Sequence, residues 1–233
     1  MIEAVIFDFD GLIVDTELPV FQAWQEIYKE HNAILPLDEW VACIGGAAEL
    51  FDVYGYLEKQ IGRPVQREEI SIKHRRRHLE LVAAQAILPG VEDHIASAKR
   101  LGLKIAVASS SPRSWVTGHL TRLGLFNHFD YTHCGDEVSN KKPDPELYLS
   151  VLSALGLRGE QAIALEDSPN GLWAARRAGI FCVAIPNIIT GQFPLDHADM
   201  QLKSLADIPL DRLIAKVEKR QSKELIVDSK HHL

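Results

Sequence analysis

The feature that most constrains this chain is a rhythm repeated along its second half. A short apolar run is followed by a few polar or small residues, and then a hydroxyl or carboxylate before proline opens a helix. Lys104 to Ala108 leads to Ser111-Pro112, Tyr131 to Cys134 leads to Asp144-Pro145, and Ala162 to Leu165 leads to Ser168-Pro169. Phe181 to Ile185 is a further strand. The polar side chain caps orphan N–H groups, and proline presets φ at the first helical position. Strands that alternate with helices in this way predict an α/β fold, a parallel sheet with helices on both faces. The apolar run from Ile2 to Phe9 predicts one more buried strand of the same sheet.

Between that first strand and the repeating half the period changes. Phe21, Trp24, Ile27 and Tyr28 recur at helical spacing between Thr16 and His31, and Pro36 follows the break. Leu37 to Ile44, Ala48 to Ile61 and Arg67 to Ala86 are the next expected helices, punctuated by Gly45-Gly46 and by Gly62-Arg63-Pro64. Pro89-Gly90 marks a sharp boundary. The expected organisation is a Rossmann-like core of residues 1–15 and 89–217, with an all-helical cap of residues 16–88 inserted into it. A polar C-terminal tail, residues 218–233, ends in Lys230-His231-His232 as a frayed helix end or a disordered extension. Hinges are expected near Leu12–Thr16 and Ile87–Gly90.

Composition narrows the class. With 233 residues the chain can bury a substantial core. A net charge of −7 disfavours general nucleic-acid binding. No apolar run approaches the roughly 20 residues that cross a bilayer. Glu3, inside the first strand, makes that segment unlike a signal peptide. Cys43, Cys134 and Cys182 are scattered without CxxC spacing, which implies free thiols in a reducing compartment, with Cys134 and Cys182 as small buried hydrophobes. A cytoplasmic monomer or weak dimer acting on a small molecule is expected.

Ligands of open α/β sheets collect beyond the carboxyl ends of the strands, so polar residues there are the candidates for chemistry. Asp8-Phe9-Asp10-Gly11 places two carboxylates at the end of the first strand, and Gly11 lets the chain turn away. Ser109-Ser110-Ser111 offers hydroxyls and backbone N–H groups to an anion. Lys142, in Asn140-Lys141-Lys142-Pro143-Asp144-Pro145, is a compact charge able to reach a phosphate. Glu166-Asp167 ends another buried strand. Side chains of adjacent residues diverge, so at most one of these two can point straight into the same site as Asp8 without bending the loop. Acids gathered in one place repel one another, and a hard divalent cation with oxygen ligands, such as Mg²⁺, relieves that repulsion.

Together these motifs resemble the haloacid dehalogenase-like hydrolase superfamily. Asp8-Phe9-Asp10-Gly11, Ser109, Lys142-Pro143 and Glu166-Asp167-Ser168-Pro169-Asn170-Gly171 match its four motifs in order. The helical insertion after the first motif is similar to the branch typified by phosphoglycolate phosphatase and β-phosphoglucomutase. The resemblance implies a phosphatase acting on a small phosphorylated metabolite, a sugar phosphate or a phosphoglycolate-like acid, through an aspartyl-phosphate. Asp8 would be the nucleophile and Asp10 the general acid and base. Ser109 and Lys142 would hold the phosphoryl oxygens with backbone N–H groups of Phe9, Asp10 and Ser110. Asp8, the Asp10 carbonyl and Asp167 would hold Mg²⁺, with Glu166 in direct contact or acting through water.

A dehalogenase of this superfamily needs neither an acid at Asp10 nor the acids of the fourth motif. A hexose-phosphate mutase would be expected to carry a histidine where Val20 stands and an arginine within Ile44-Gly45-Gly46-Ala47-Ala48-Glu49. A non-catalytic protein on the same fold is the third alternative. Lys73-His74-Arg75-Arg76-Arg77-His78 is expected to be an exposed helix face pairing with Glu69 and Glu80, with one or two members facing the cleft as the alternative. Trp24 and Trp40 are expected in the core or the cap interface, and Pro186-Asn187 is assigned no chemistry.

Overall fold

The computed structural model describes residues 1–44 and 52–230. Its sheet contains β1 (Ala4–Phe7), β2 (Lys104–Ser109), β3 (Tyr131–Cys134), β4 (Ala162–Glu166), β5 (Phe181–Ala184) and β6 (Met200–Gln201). The order is β3-β2-β1-β4-β5-β6, with every pairing parallel. β1 is therefore central although the insertion separates it from the other strands. Ile6 pairs with Ala106 on one side and Ala164 on the other, which brings the ends of β1, β2 and β4 side by side. The connection changes direction at this point, where doubly wound folds open a crevice. β6, only two residues long, was not expected from the sequence.

Two buried layers follow from strand alternation. Val5, Phe7, Ile105, Val107, Ile163, Leu165 and Val183 point to one face, and Ala4, Ile6, Ala106, Ala108, Ala162, Ala164 and Ala184 to the other. One face of the sheet is thus built of branched and aromatic side chains, the other mostly of alanine.

The insertion contains α1 (Glu17–Glu30), α2 (Leu37–Ile44), α3 (Val53–Ile61) and α4 (Arg67–Ala83). Phe21, Trp24, Ile27, Tyr28, Trp40, Leu57 and Ile70 form its own hydrophobic cluster, joined by Ile189 from the sheet side. Trp24 and Trp40 are buried as expected, with Trp40 stacked on Phe21. The helix expected from Ala48 is described only from Val53, and Gly45-Gly46 and Ala47-Ala48-Glu49 lie outside the described residues, as does the side chain of Cys43. The insertion's two connections to the sheet run together: Val14 bridges Ile87, and Leu88 N–H donates to Ile13 O at 2.9 Å.

α5 (Val91–Arg100), α6 (Arg113–Arg122) and α9 (Leu210–Lys230) cover the branched face, while α7 (Glu146–Leu155) and α8 (Pro169–Arg177) pack on the alanine face. Ser168 caps α8 as its sequence implies, accepting from Gly171 N–H at 3.1 Å. The Ser111-Pro112 and Asp144-Pro145 expectations need correction, because Pro112 and Pro145 stand before the first turns of α6 and α7, and the Ser111 hydroxyl turns to Asp10 instead. The boundary expected at residue 218 falls inside α9, and His231 and His232 lie outside the described residues. Cys134 and Cys182 are buried and free. No helix among the described residues is long and apolar enough to cross a membrane.

Candidate active site

The candidate residues gather at the ends of β1, β2 and β4. Asp8 follows β1 and is held in the sheet by its N–H on Leu165 O at 2.9 Å. Gly11 then turns the chain with φ +78°, and a Cβ there would lie 2.2 Å from Asp167 Oδ2. Only glycine satisfies both the backbone conformation and the close approach.

Asp8, Glu166 and Asp167 come together, each offering a carboxylate oxygen within 4.8 Å of the others. The condition set by the sequence, that both adjacent acids can face Asp8 only where the chain bends, is met here. Glu166 still belongs to β4, Asp167 is the first residue beyond it, and the bend there lets both converge. All three are almost fully buried, at 7, 0 and 2 % exposure. Lys142 reaches into the cluster, its Nζ 2.6 Å from Asp8 Oδ1, 2.6 Å from Glu166 Oε1 and 2.7 Å from Ala108 O. All three ammonium protons have acceptors.

Glu166 is also bound by Tyr148, whose hydroxyl donates to Oε1 at 2.6 Å, and its Oε2 faces the Ser168 hydroxyl at 3.3 Å. Asp167 Oδ2 accepts from Asn187 Nδ2 at 2.8 Å, and Asn187 Oδ1 accepts in turn from Ile189 and Thr190 N–H.

Burial pushes the Asp8 carboxyl up to about 8; the charges of Glu166 and Asp10 add to the rise and Lys142 opposes it. Burial, then Asp8 and Glu166, holds Asp167 well above the usual carboxylate range. Burial also works against the Lys142 charge, but Asp8 and Glu166 outweigh it and raise its affinity for the proton. With all groups ionised, three carboxylates face one ammonium, leaving two negative charges uncompensated in a desolvated site. An all-oxygen donor set with that deficit fits a hard divalent cation.

Asp10 lies outside this cluster and faces β2. Its Oδ1 accepts from Thr16 Oγ1 and from Trp115 Nε1, each at 2.9 Å, and its Oδ2 from Ser111 Oγ at 2.6 Å. Ser109 is fully buried; its hydroxyl lies 3.4 Å from Asp10 Oδ2 and accepts from Ser111 N–H at 3.0 Å. The Phe9 side chain is buried in the core, so what it can offer a ligand is its main chain.

Asp8, Asp10, Ser110, Ser111, Lys142 and Asp167 line one cavity of about 1060 Å³. Val20, Glu17 and His78 come to it from the insertion, and Phe193, Pro194 and His197 from the loop after β5. Burial, with Asp10 and Asp15 adding, pushes the Glu17 carboxyl up to about 7. From the basic stretch on α4, His78 reaches the cavity while Arg77 pairs with Glu26 at 2.7 Å and Glu80 at 3.1 Å, and Lys73 pairs with Glu30. The expected pairing is borne out for Glu80, while among the described residues Lys73 and Arg77 turn to Glu30 and Glu26 of α1 and not to Glu69.

Sequence reasoning missed Thr16, Trp115, Tyr148 and Asn187. Their partners lie 6, 105, 18 and 20 residues away, and of these only Asn187 follows a strand end, the one signal that could have drawn it out.

Residues 5–185 match the family model described as haloacid dehalogenase-like hydrolase. Among similar proteins, YhcW of Bacillus subtilis is 45% identical over 92% of this chain and 97% of its own length. The phosphorylated carbohydrates phosphatase of Thermotoga maritima is 34% identical over 76% and 82%. The crystal structure of CbbY from Rhodobacter sphaeroides in complex with phosphate superposes with a TM-score of 0.67, at 32% identity, covering 88% of this chain and 96% of that one.

Proposed function

The chain belongs to the haloacid dehalogenase-like hydrolases, and from that membership we propose that it is a phosphatase acting on a small phosphorylated metabolite, a sugar phosphate or phosphoglycolate-like acid, through an aspartyl-phosphate on Asp8. The observation that carries the reading is the convergence of Asp8, Lys142, Glu166 and Asp167 at the carboxyl ends of the central strands β1 and β4, beside a cavity that also reaches Asp10.

In this reading a carboxylate oxygen of Asp8 bonds to phosphorus as the ester P–O bond breaks, and Asp10 gives its proton to the departing oxygen. Water then attacks the phosphorus and loses a proton to Asp10, the Asp8–phosphorus bond breaks, and inorganic phosphate leaves. Proton transfer of this kind contributes roughly 10²–10⁴-fold. Ser109 and Lys142, with N–H groups of Phe9, Asp10 and Ser110, orient the phosphoryl oxygens; Lys142 would exchange one of its carboxylate partners for the substrate. The Asp8 carboxylate, the Asp10 carbonyl and Asp167 would hold Mg²⁺, which supplies positive charge against the phosphoryl oxygens when bound. Glu166, already engaged by Lys142 and Tyr148, anchors the lysine and meets the metal at most through water.

Residues 16–88 act as a cap in this reading, hinged at 12–16 and 87–90, excluding and admitting water at the right stages. Hydrolysis is favoured over sugar-phosphate isomerisation because Val20 presents an apolar surface to the cavity where a mutase would need a polar group. Purified protein with Mg²⁺ is expected to release phosphate from 4-nitrophenyl phosphate, and Asp8→Asn to abolish that release. Undiminished turnover by Asp8→Asn would overturn the proposal. Conversion of β-glucose 1-phosphate to the 6-phosphate faster than phosphate appears would replace it with a mutase.

A further inference from the structure

The carboxyl of Asp10 is gripped asymmetrically. Both donors on Oδ1 come from outside the acid cluster, the Trp115 indole N–H and the Thr16 hydroxyl, each at 2.9 Å. Among the described residues Oδ2 meets serine hydroxyls, Ser111 at 2.6 Å and Ser109 at 3.4 Å. These donors are not equivalent. An indole N–H can only donate, whereas a hydroxyl turns freely between donating and accepting.

From this we infer that Trp115 is a positioning residue for Asp10: its N–H keeps Oδ1 an acceptor, so that the proton Asp10 gives and takes resides on Oδ2. Thr16 occupies the second lone pair of Oδ1. A proton arriving at the carboxyl therefore finds Oδ2, where the Ser111 hydroxyl can turn and accept.

The indole is well placed to hold this geometry. It rises from the first turn of α6, in the wall of the cavity, and its ring lies edge-on to His119 with centroids 4.3 Å apart. On the other side its ring centroid is 5.9 Å from that of His78, which α4 contributes from the insertion. Further along α4, His74 stacks on Trp24 at 4.3 Å. A row of rings thus connects the insertion's hydrophobic cluster to the indole that donates to Oδ1 of Asp10.

The inference rests on the phosphatase reading, and the test separates the two. The comparison is kcat/KM for two esters: 4-nitrophenyl phosphate, whose leaving group departs without a proton, and an alkyl phosphate such as glycerol 3-phosphate or a sugar phosphate, whose alkoxide needs one. Trp115→Phe keeps an aromatic ring between His78 and His119 and removes the N–H. Its kcat/KM is expected to fall at least about tenfold further for the alkyl ester than for the nitrophenyl ester, a part of the range that acid catalysis spans. Equal losses on both esters, or none, would overturn the inference and leave the phosphatase reading standing. Failure of the unaltered protein to hydrolyse either ester would sink the reading itself.

A spectroscopic measurement covers the case in which Trp115→Phe does not fold. The chain has four tryptophans, so four indole N–H signals are expected in a proton–nitrogen correlation spectrum. Asp10→Asn should move one of them, Trp115, more than the other three. An unmoved set of four would count against the contact and therefore against the inference.

Discussion

The ammonium of Lys142 rests 2.6 Å from Oδ1 of Asp8, with the two side chains at 5 and 10 % exposure. A charge pair so enclosed is chiefly a matter of what each partner would suffer alone. Removing one member of a buried pair leaves the other uncompensated, at about 3–5 kcal/mol. Lys142→Met should therefore lower the unfolding free energy of the metal-free protein by about that amount at pH 8. The loss should shrink toward pH 5, where the acids can take up protons instead. Urea unfolding at the two pH values measures both, and an equal loss at each would contradict the charge argument.

The raised Asp8 carboxyl fixes a pH trend. Its folded value of about 8 lies above its ordinary value of 3.8, so between these limits the folded protein holds a proton that the unfolded chain has released. Stability of the metal-free protein should then fall as pH rises from about 4 to about 8, by about 1.4 kcal/mol per pH unit for each such group. Asp167, also raised, acts in the same direction. Mg²⁺ should offset the loss, lifting the melting temperature more at pH 8 than at pH 5. Melting curves in chelator and in Mg²⁺ would decide it; stability that climbs with pH in chelator would refute it.

Glu17 makes a smaller version of the same case. Its carboxyl is pushed up from 4.5 to about 7 by burial and by Asp10 and Asp15, so its contribution to stability falls as pH rises between those values and the full penalty stands above them. Glu17→Gln should stabilise the protein at pH 8 by on the order of 2 kcal/mol and change little at pH 5. A destabilised variant at pH 8 would mean that the carboxylate makes contacts worth more than its desolvation.

Gly171 tests the support beneath Lys142. It sits in the first turn of α8 with an ordinary helical backbone, yet an added Cβ would fall 1.9 Å from Glu166 Oε2. Gly171→Ala should leave the circular dichroism spectrum unchanged while displacing Glu166 from Lys142 and Tyr148. We expect phosphatase activity to drop about tenfold or more, within what loss of an electrostatic contact at a reacting centre causes. Shortening the neighbour with Glu166→Asp should recover part of the loss, and full activity in Gly171→Ala alone would show that the lysine does not depend on Glu166.

The residues themselves show what the sequence could and could not reveal. β1, β2, β4 and β5 were legible because a strand buried on both faces must be apolar along its length, and Asp8, Glu166 and Asp167 because polar residues at the ends of such strands have few other places to go; Lys142, in the loop between β3 and α7, was legible only through the resemblance of Lys142-Pro143 to a family motif. β6 escaped because two residues carry no period. Whether Glu166 and Asp167 converge turned on the bend after β4, which the sequence names as the condition but cannot itself supply. Trp115 and Asn187 escaped for a different reason. Each contributes a single N–H to one acid, and periodicity and spacing register where a side chain is buried, not which atom it touches across 105 or 20 positions.

The unequal faces of the sheet carry a consequence for how this protein can change over generations. Where Phe7, Val107 and Leu165 meet α5, α6 and α9, large side chains can trade volume with their neighbours and mutational drift is easily absorbed. On the alanine side there is little to trade. One added methyl at Ala164 or Ala108 would push α7 or α8 outward, and with them Tyr148 and Ser168, whose hydroxyls both reach Glu166. The back of the molecule is free to wander, while the side beneath the acids must inherit its small residues nearly unaltered.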